Sequence, residues 1–79
     1  MITVRYFAGA REAAGVTTER LDGPTSVAGL RASLAAAHPG LAEVLPKCAL
    51  LVAGARATTD DAVVPDDVTV DVLPPFAGG

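Results

Sequence analysis

The sequence predicts an α+β domain, with one main helix packed on one face of a mixed sheet of about five strands. Three observations point there. Strand-like alternation opens the chain at Ile2–Phe7 and closes it at Val68–Leu73. Between them, Val27, Leu30, Leu34 and Ala37 fall three, four and three residues apart, which is one face of a helix. A short apolar run, Cys48–Val52, has the look of a buried strand.

In chain order, Ile2, Val4 and Tyr6 share one face of the first strand, and Phe7 falls on the face of Thr3 and Arg5. There it is either covered by the next segment or exposed. Ala8–Gly15 is short and Ala-rich and suggests a turn or about one helical turn. Val16–Leu21, β-branched and mostly polar, reads as an edge strand pairing back on the first.

Asp22-Gly23-Pro24-Thr25-Ser26 is a turn ending on hydroxyl residues suited to capping the main helix. Gly29 lowers helix propensity by about 1 kcal/mol, while Ala32, Ala35 and Ala36 raise it. His38-Pro39-Gly40 stops the helix, because proline disfavours helical backbone at the residue before it. Leu41–Leu45 offers a further helical turn. After Cys48–Val52, Ala53-Gly54-Ala55 is a tight turn and Arg56-Ala57-Thr58 a brief return strand. Thr59-Asp60-Asp61 and Pro65-Asp66-Asp67 read as polar turns flanking Val63 and Val64.

A chain of 79 residues buries somewhat over ~60% of its unfolded surface, enough for one modest core but not for a second domain with a cleft. The net charge of −3 argues against nucleic acid or an anionic membrane as partner. No apolar run reaches the ~20 residues of a membrane span, and Met1-Ile2-Thr3 opens into a strand rather than a leader. A single cysteine excludes an internal disulfide, so the expected location is cytoplasmic.

Residues 1–73 are read as the domain and 74–79 as an extended C-terminal tail. Pro74 and Pro75 supply no N–H and fix φ, so the last strand stops there and the chain leaves as a stiff stalk. Phe76 to Gly79 reaches about 12–14 Å, further than a side chain. Gly78 and Gly79 lack Cβ and can enter a narrow channel. A carboxylate at the tip is ionised and is a poor electrophile, so chemistry there needs an active site on another protein. The tail reads as a substrate handle, against the bland reading of a frayed terminus.

The interior offers little chemistry. His38, the only histidine, reads as a helix C-cap or a solvated residue, and Cys48 as a core thiol. Asp60, Asp61, Asp66 and Asp67 lack the spacing of a calcium loop. No metal site, phosphate loop or catalytic triad is evident, and the chain is not expected to be catalytic alone.

The tail Pro74-Pro75-Phe76-Ala77-Gly78-Gly79 and the phrase Arg5-Tyr6-Phe7-Ala8 with Arg11-Glu12 and Gly15 resemble the small subunit of molybdopterin synthase, within the ubiquitin-like sulfur carriers. The resemblance implies a β-grasp fold, with Val68–Leu73 inserted parallel beside Ile2–Phe7. It also implies that an E1-like adenylyltransferase uses ATP to adenylate Gly79. A sulfurtransferase or cysteine desulfurase then supplies sulfur to give a thiocarboxylate. The tail next enters the large synthase subunit, where the sulfur passes to a pterin precursor. No cofactor is expected on this chain. By position, Gly79 is the modified residue and Gly78 the spacer, with Pro74, Pro75, Phe76 and Ala77 in the partners' channel. Phe7 and Leu73 are candidates for an apolar docking patch with Arg11 at its rim, or else plain core.

Sulfur carriers for thiamin or cysteine biosynthesis share the fold and the Gly-Gly end, and the Pro-Pro pair favours molybdopterin. A ubiquitin-like modifier would use the same acyl-adenylate to form an isopeptide on a lysine. A non-covalent binding module would not need Gly79.

Overall fold

Alternating apolar residues at both ends of the chain converge on one sheet. The computed structural model describes residues 1–75, and the elements run β1 (Ile2–Tyr6), α1 (Ala8–Ala14), β2 (Thr18–Leu21), β3 (Thr25–Ser26), α2 (Val27–Ala37), β4 (Ala49–Val52), β5 (Ala55–Arg56), β6 (Val63–Val64) and β7 (Thr69–Leu73). Two 3₁₀ turns, Pro39–Leu41 and Leu45–Lys47, join α2 to β4. Five strands form a mixed sheet in the order β2-β1-β7-β4-β5. β7 lies parallel to β1, with Tyr6 opposite Val72, and antiparallel to β4, with Ala49 opposite Leu73. This is the β-grasp arrangement expected from the resemblance.

Period-2 burial drives the assembly. Ile2, Val4, Tyr6, Leu50, Val70 and Val72 are fully buried on the helix-facing side of the sheet. From α2 they meet Val27, Leu30 and Leu34. Ala37 does not join this face; it is exposed at the last position of the helix. Leu41 and Leu45 from the 3₁₀ turns complete the cluster.

Helix α2 starts as its sequence suggests. The Ser26 hydroxyl accepts the Gly29 N–H at 3.0 Å, satisfying one of the orphan donors of the first turn. Helix α1 is longer than the single turn expected. Its seven residues run from the Phe7 carbonyl to Gly15, whose left-handed φ of 78° lets its N–H close on Arg11 O at 2.9 Å. At Ala53-Gly54 both residues have positive φ, 51° and 85°, the conformation that joins β4 tightly to β5.

A second, two-stranded sheet pairs β3 with β6, Thr25 opposite Val64 and Ser26 opposite Val63. It holds the start of α2, where Val27 N–H and Ala28 N–H bond Ala62 O and Asp60 O. Val63 and Val64, read only as residues between turns, are thus a strand. Just after β6, Asp66 and Asp67 pair with the Met1 ammonium at 2.7 Å and 3.0 Å, tying the start of β1 to the loop before β7.

Candidate functional site: the root of the C-terminal tail

The site is set by where β7 ends. Hydrogen-bonded on both sides, β7 is the central strand, and its ladder runs to Val72 and Leu73. On the β1 side the last bond is Phe7 N–H to Val72 O, at 3.2 Å. Pro74 has no N–H to continue it, so the chain quits the sheet there, with Pro74 half-buried and Pro75 exposed. Pro74 and Pro75 thus follow directly from the middle strand of the sheet.

Because Val72 points to the core, Leu73 points to the outer face, where it is half-buried. Phe7 is the next residue of the neighbouring β1 segment, is 37% exposed and also leaves the outer face. It is not core. The Phe7 carbonyl accepts Ala10 N–H at 3.0 Å and Arg11 N–H at 3.4 Å, so α1 begins directly from Phe7 and brings exposed Arg11 near the same end of the sheet. Phe7 and Leu73 thus share the outer face at the end of the sheet where β7 stops, and the Arg11 backbone lies beside Phe7. Phe76, Ala77, Gly78 and Gly79 lie outside the described residues.

The outer face carries one well-made ion pair beside Phe7. Arg5 donates to both oxygens of Asp71, at 2.6 and 2.9 Å, and its guanidinium lies 5.7 Å from the Phe7 ring centroid. The alternation that placed Arg5 and Asp71 outward was visible in the sequence. Their pairing required the parallel register and was missed.

A second polar cluster, Tyr6, Glu19 and His38, ties β1, β2 and the end of α2 together. His38 caps α2, and its Nε2 lies 2.9 and 3.0 Å from the two Glu19 oxygens. The Tyr6 hydroxyl also donates to Glu19. Burial, then the Glu19 carboxylate, pushes the Tyr6 phenol well above its ordinary pKa. Glu19, on an edge strand, gave no sequence signal for this role. Cys48 is buried, donates weakly to Val44 O at 3.3 Å, and has its thiol pushed up by burial, an effect that Arg31 opposes. Among the described residues, no group of His, Cys, Asp and Glu is placed to hold a metal, and no helix is long and apolar enough to cross a membrane.

Known proteins share this geometry. A solved molybdopterin converting factor subunit 1 from Pyrococcus furiosus is 26% identical, with a TM-score of 0.81 over 95% of this chain and 97% of that one. Small archaeal modifier protein 1 from Methanosarcina acetivorans is 25% identical, with a TM-score of 0.83 over 99% and 95%. The complex of subunits 1 and 2 of molybdopterin-converting factor from Helicobacter pylori contains a chain 24% identical, with a TM-score of 0.74 over 99% and 97%, a likeness of fold. No curated protein gave a significant match. The model of the ThiS family matches residues 4–79, nearly the whole chain, and the chain accordingly belongs to the ThiS family, among the ubiquitin-like sulfur carriers.

Proposed function

We propose that this chain is the sulfur-carrying small subunit of a molybdopterin synthase, working through Gly79. The observation that carries the reading is a family match extending through Gly79, on a domain whose central strand ends at a proline pair. An E1-like adenylyltransferase joins the Gly79 carboxylate to the AMP portion of ATP, releasing pyrophosphate. The outer sulfur of a persulfide on a sulfurtransferase or cysteine desulfurase displaces AMP to give an acyl disulfide. A thiol then cleaves its S–S bond, freeing the thiocarboxylate and leaving a disulfide on the donor. That soft sulfur then attacks a pterin precursor inside the large subunit. The chain supplies no catalyst of its own; it holds the reacting group on a stalk narrow enough to enter each partner.

Phe7 and Leu73 form the apolar patch that meets these partners, with Arg11 at its rim, and Pro74 through Gly78 lie in the partners' channel. A neighbour described as a molybdopterin converting factor subunit 1 favours the molybdopterin pathway. A second reading has an observation of its own. Neighbours described as small archaeal modifier protein 1 favour transfer of the same activated glycine to a lysine of a target protein.

The test is ATP-dependent adenylation by the activating enzyme from the same genome. The full chain should stimulate exchange of pyrophosphate into ATP, and a variant lacking Gly79 should not. Equal stimulation by both would remove Gly79 from the mechanism and leave a non-covalent binding domain.

A further inference from the structure

A groove of about 550 Å³ opens beside the tail root, lined by Leu73, Pro74 and Pro75 together with Arg31, Lys47 and Arg56. Its charge runs against that of the protein. The chain has 6 basic and 9 acidic residues, yet three of the basic ones line this groove and, among the described residues, no carboxylate does. Lys47 and Arg56 are exposed. Arg31 is half-buried and donates to Leu45 O at 2.6 Å and Cys48 O at 3.3 Å. Those carbonyls fix the guanidinium without neutralising it; exposed Asp60 approaches it only to 4.0 Å.

The walls are rigid. Lys47 stands on the 3₁₀ turn that starts at Leu45 and contains Pro46, Arg56 on the short strand after the tight Ala53-Gly54 turn, and the proline pair completes the lining. A preorganised cationic groove of this kind favours an anionic occupant.

The tail determines what that occupant is. Four residues beyond Pro75 span at most about 14 Å, close to the Debye length of ~10 Å at 0.1 M salt. Any protein that draws Gly79 into a channel therefore brings the channel's mouth against this groove. We propose that the groove is a docking site for acidic side chains around the mouth of the channel that receives the tail. The inference rests on the carrier reading for insertion of the tail, and adds that charge at the root guides and seats it. Lys47 and Arg56 steer the approach; Arg31 marks the seat.

The experiment measures the rate of association of the full-length chain with the adenylating enzyme from its own genome, at ~0.05 and ~0.5 M salt. Four chains are compared: wild type, the double reversal Lys47→Glu with Arg56→Glu, the neutral pair Lys47→Gln with Arg56→Gln, and Asp22→Lys as a charge change elsewhere. The reversal should slow association about ten-fold or more at low salt and far less at high salt, with the neutral pair between. Asp22→Lys should change it less than about two-fold. Circular dichroism checks that each variant folds. A reversal that binds like wild type overturns the proposal, as does a loss of equal size at both salts. A dimer of the chain that dissolves on reversal would assign the groove to a second copy and also overturn it. Absence of any complex with the wild-type chain overturns the carrier reading together with the proposal, and is seen before any variant is made.

Discussion

Arg5 and Asp71 occupy the same register position on β1 and β7 and are joined by two hydrogen bonds, Nε to Oδ1 at 2.6 Å and the second guanidinium nitrogen to Oδ2 at 2.9 Å. The pair crosses from the first strand to the strand that carries the tail. It neutralises an acid on the outer face of the central strand and holds the guanidinium beside the Phe7 ring. Two segments 66 positions apart are thus locked immediately before the tail departs.

Because Arg5 is exposed, this coupling is open to screening. A double-mutant cycle with Arg5→Ala and Asp71→Ala, followed by urea unfolding, should give a favourable coupling at low salt. It should shrink toward zero near ~1 M salt, where the Debye length is about 3 Å. A coupling indifferent to salt would mean that packing of the arginine stem, not charge, joins the strands.

Tyr6 is the only tyrosine, so its ionisation is readable from ultraviolet absorbance. Its phenol pKa is raised above the ordinary 10.0, by burial first and by Glu19 second. The neutral phenol is thus favoured in the folded state. Its contribution to stability is complete below pH 10 and falls as pH rises above that value, since only the unfolded chain then releases the proton. The absorbance change and the loss of circular dichroism should coincide in alkaline titration. A phenol that ionises near pH 10 with the fold intact would contradict the assignment.

Gly40 lies where the first 3₁₀ turn meets α1. A Cβ there would sit 2.8 Å from the Ala13 carbonyl oxygen, a backbone atom that moves only with its helix. Gly40→Ala should cost about 1–3 kcal/mol, as overpacking does. Gly9→Ala, with open space around it, should cost little. Urea midpoints of the two variants check the contrast.

Cys48 combines burial with a raised thiol pKa. In the native protein a thiol reagent should react only as fast as the region opens, and fully once urea unfolds the chain. Rapid native labelling would place the sulfur outside the core.

Much of this was legible from local pattern. Ile2, Val4 and Tyr6 announced β1 by alternation, Val27, Leu30 and Leu34 announced α2 by spacing, and Ser26 and Pro39 marked its ends. What escaped depends on contacts between distant parts of the chain. Val63 and Val64 become a strand only because Thr25 and Ser26 are brought alongside. Glu19 becomes the common partner of Tyr6 and His38 only once β2 and the end of α2 meet. Helix α1 exceeded one turn because Phe7 and Gly15 close its two ends. Of the site, the proline pair and Phe7 were visible in sequence. The cationic groove was not, since Arg31, Lys47 and Arg56 come from three separate elements.

The most direct test of the account is the intact mass of the protein from its native cells, isolated under non-reducing conditions. Carriage of sulfur on Gly79 predicts a fraction heavier by the exchange of one oxygen for sulfur, absent from a variant lacking Gly79. An unmodified mass while the sulfur pathway is active would contradict the carrier mechanism. The same chain joined to lysines of other proteins would establish the modifier reading in its place.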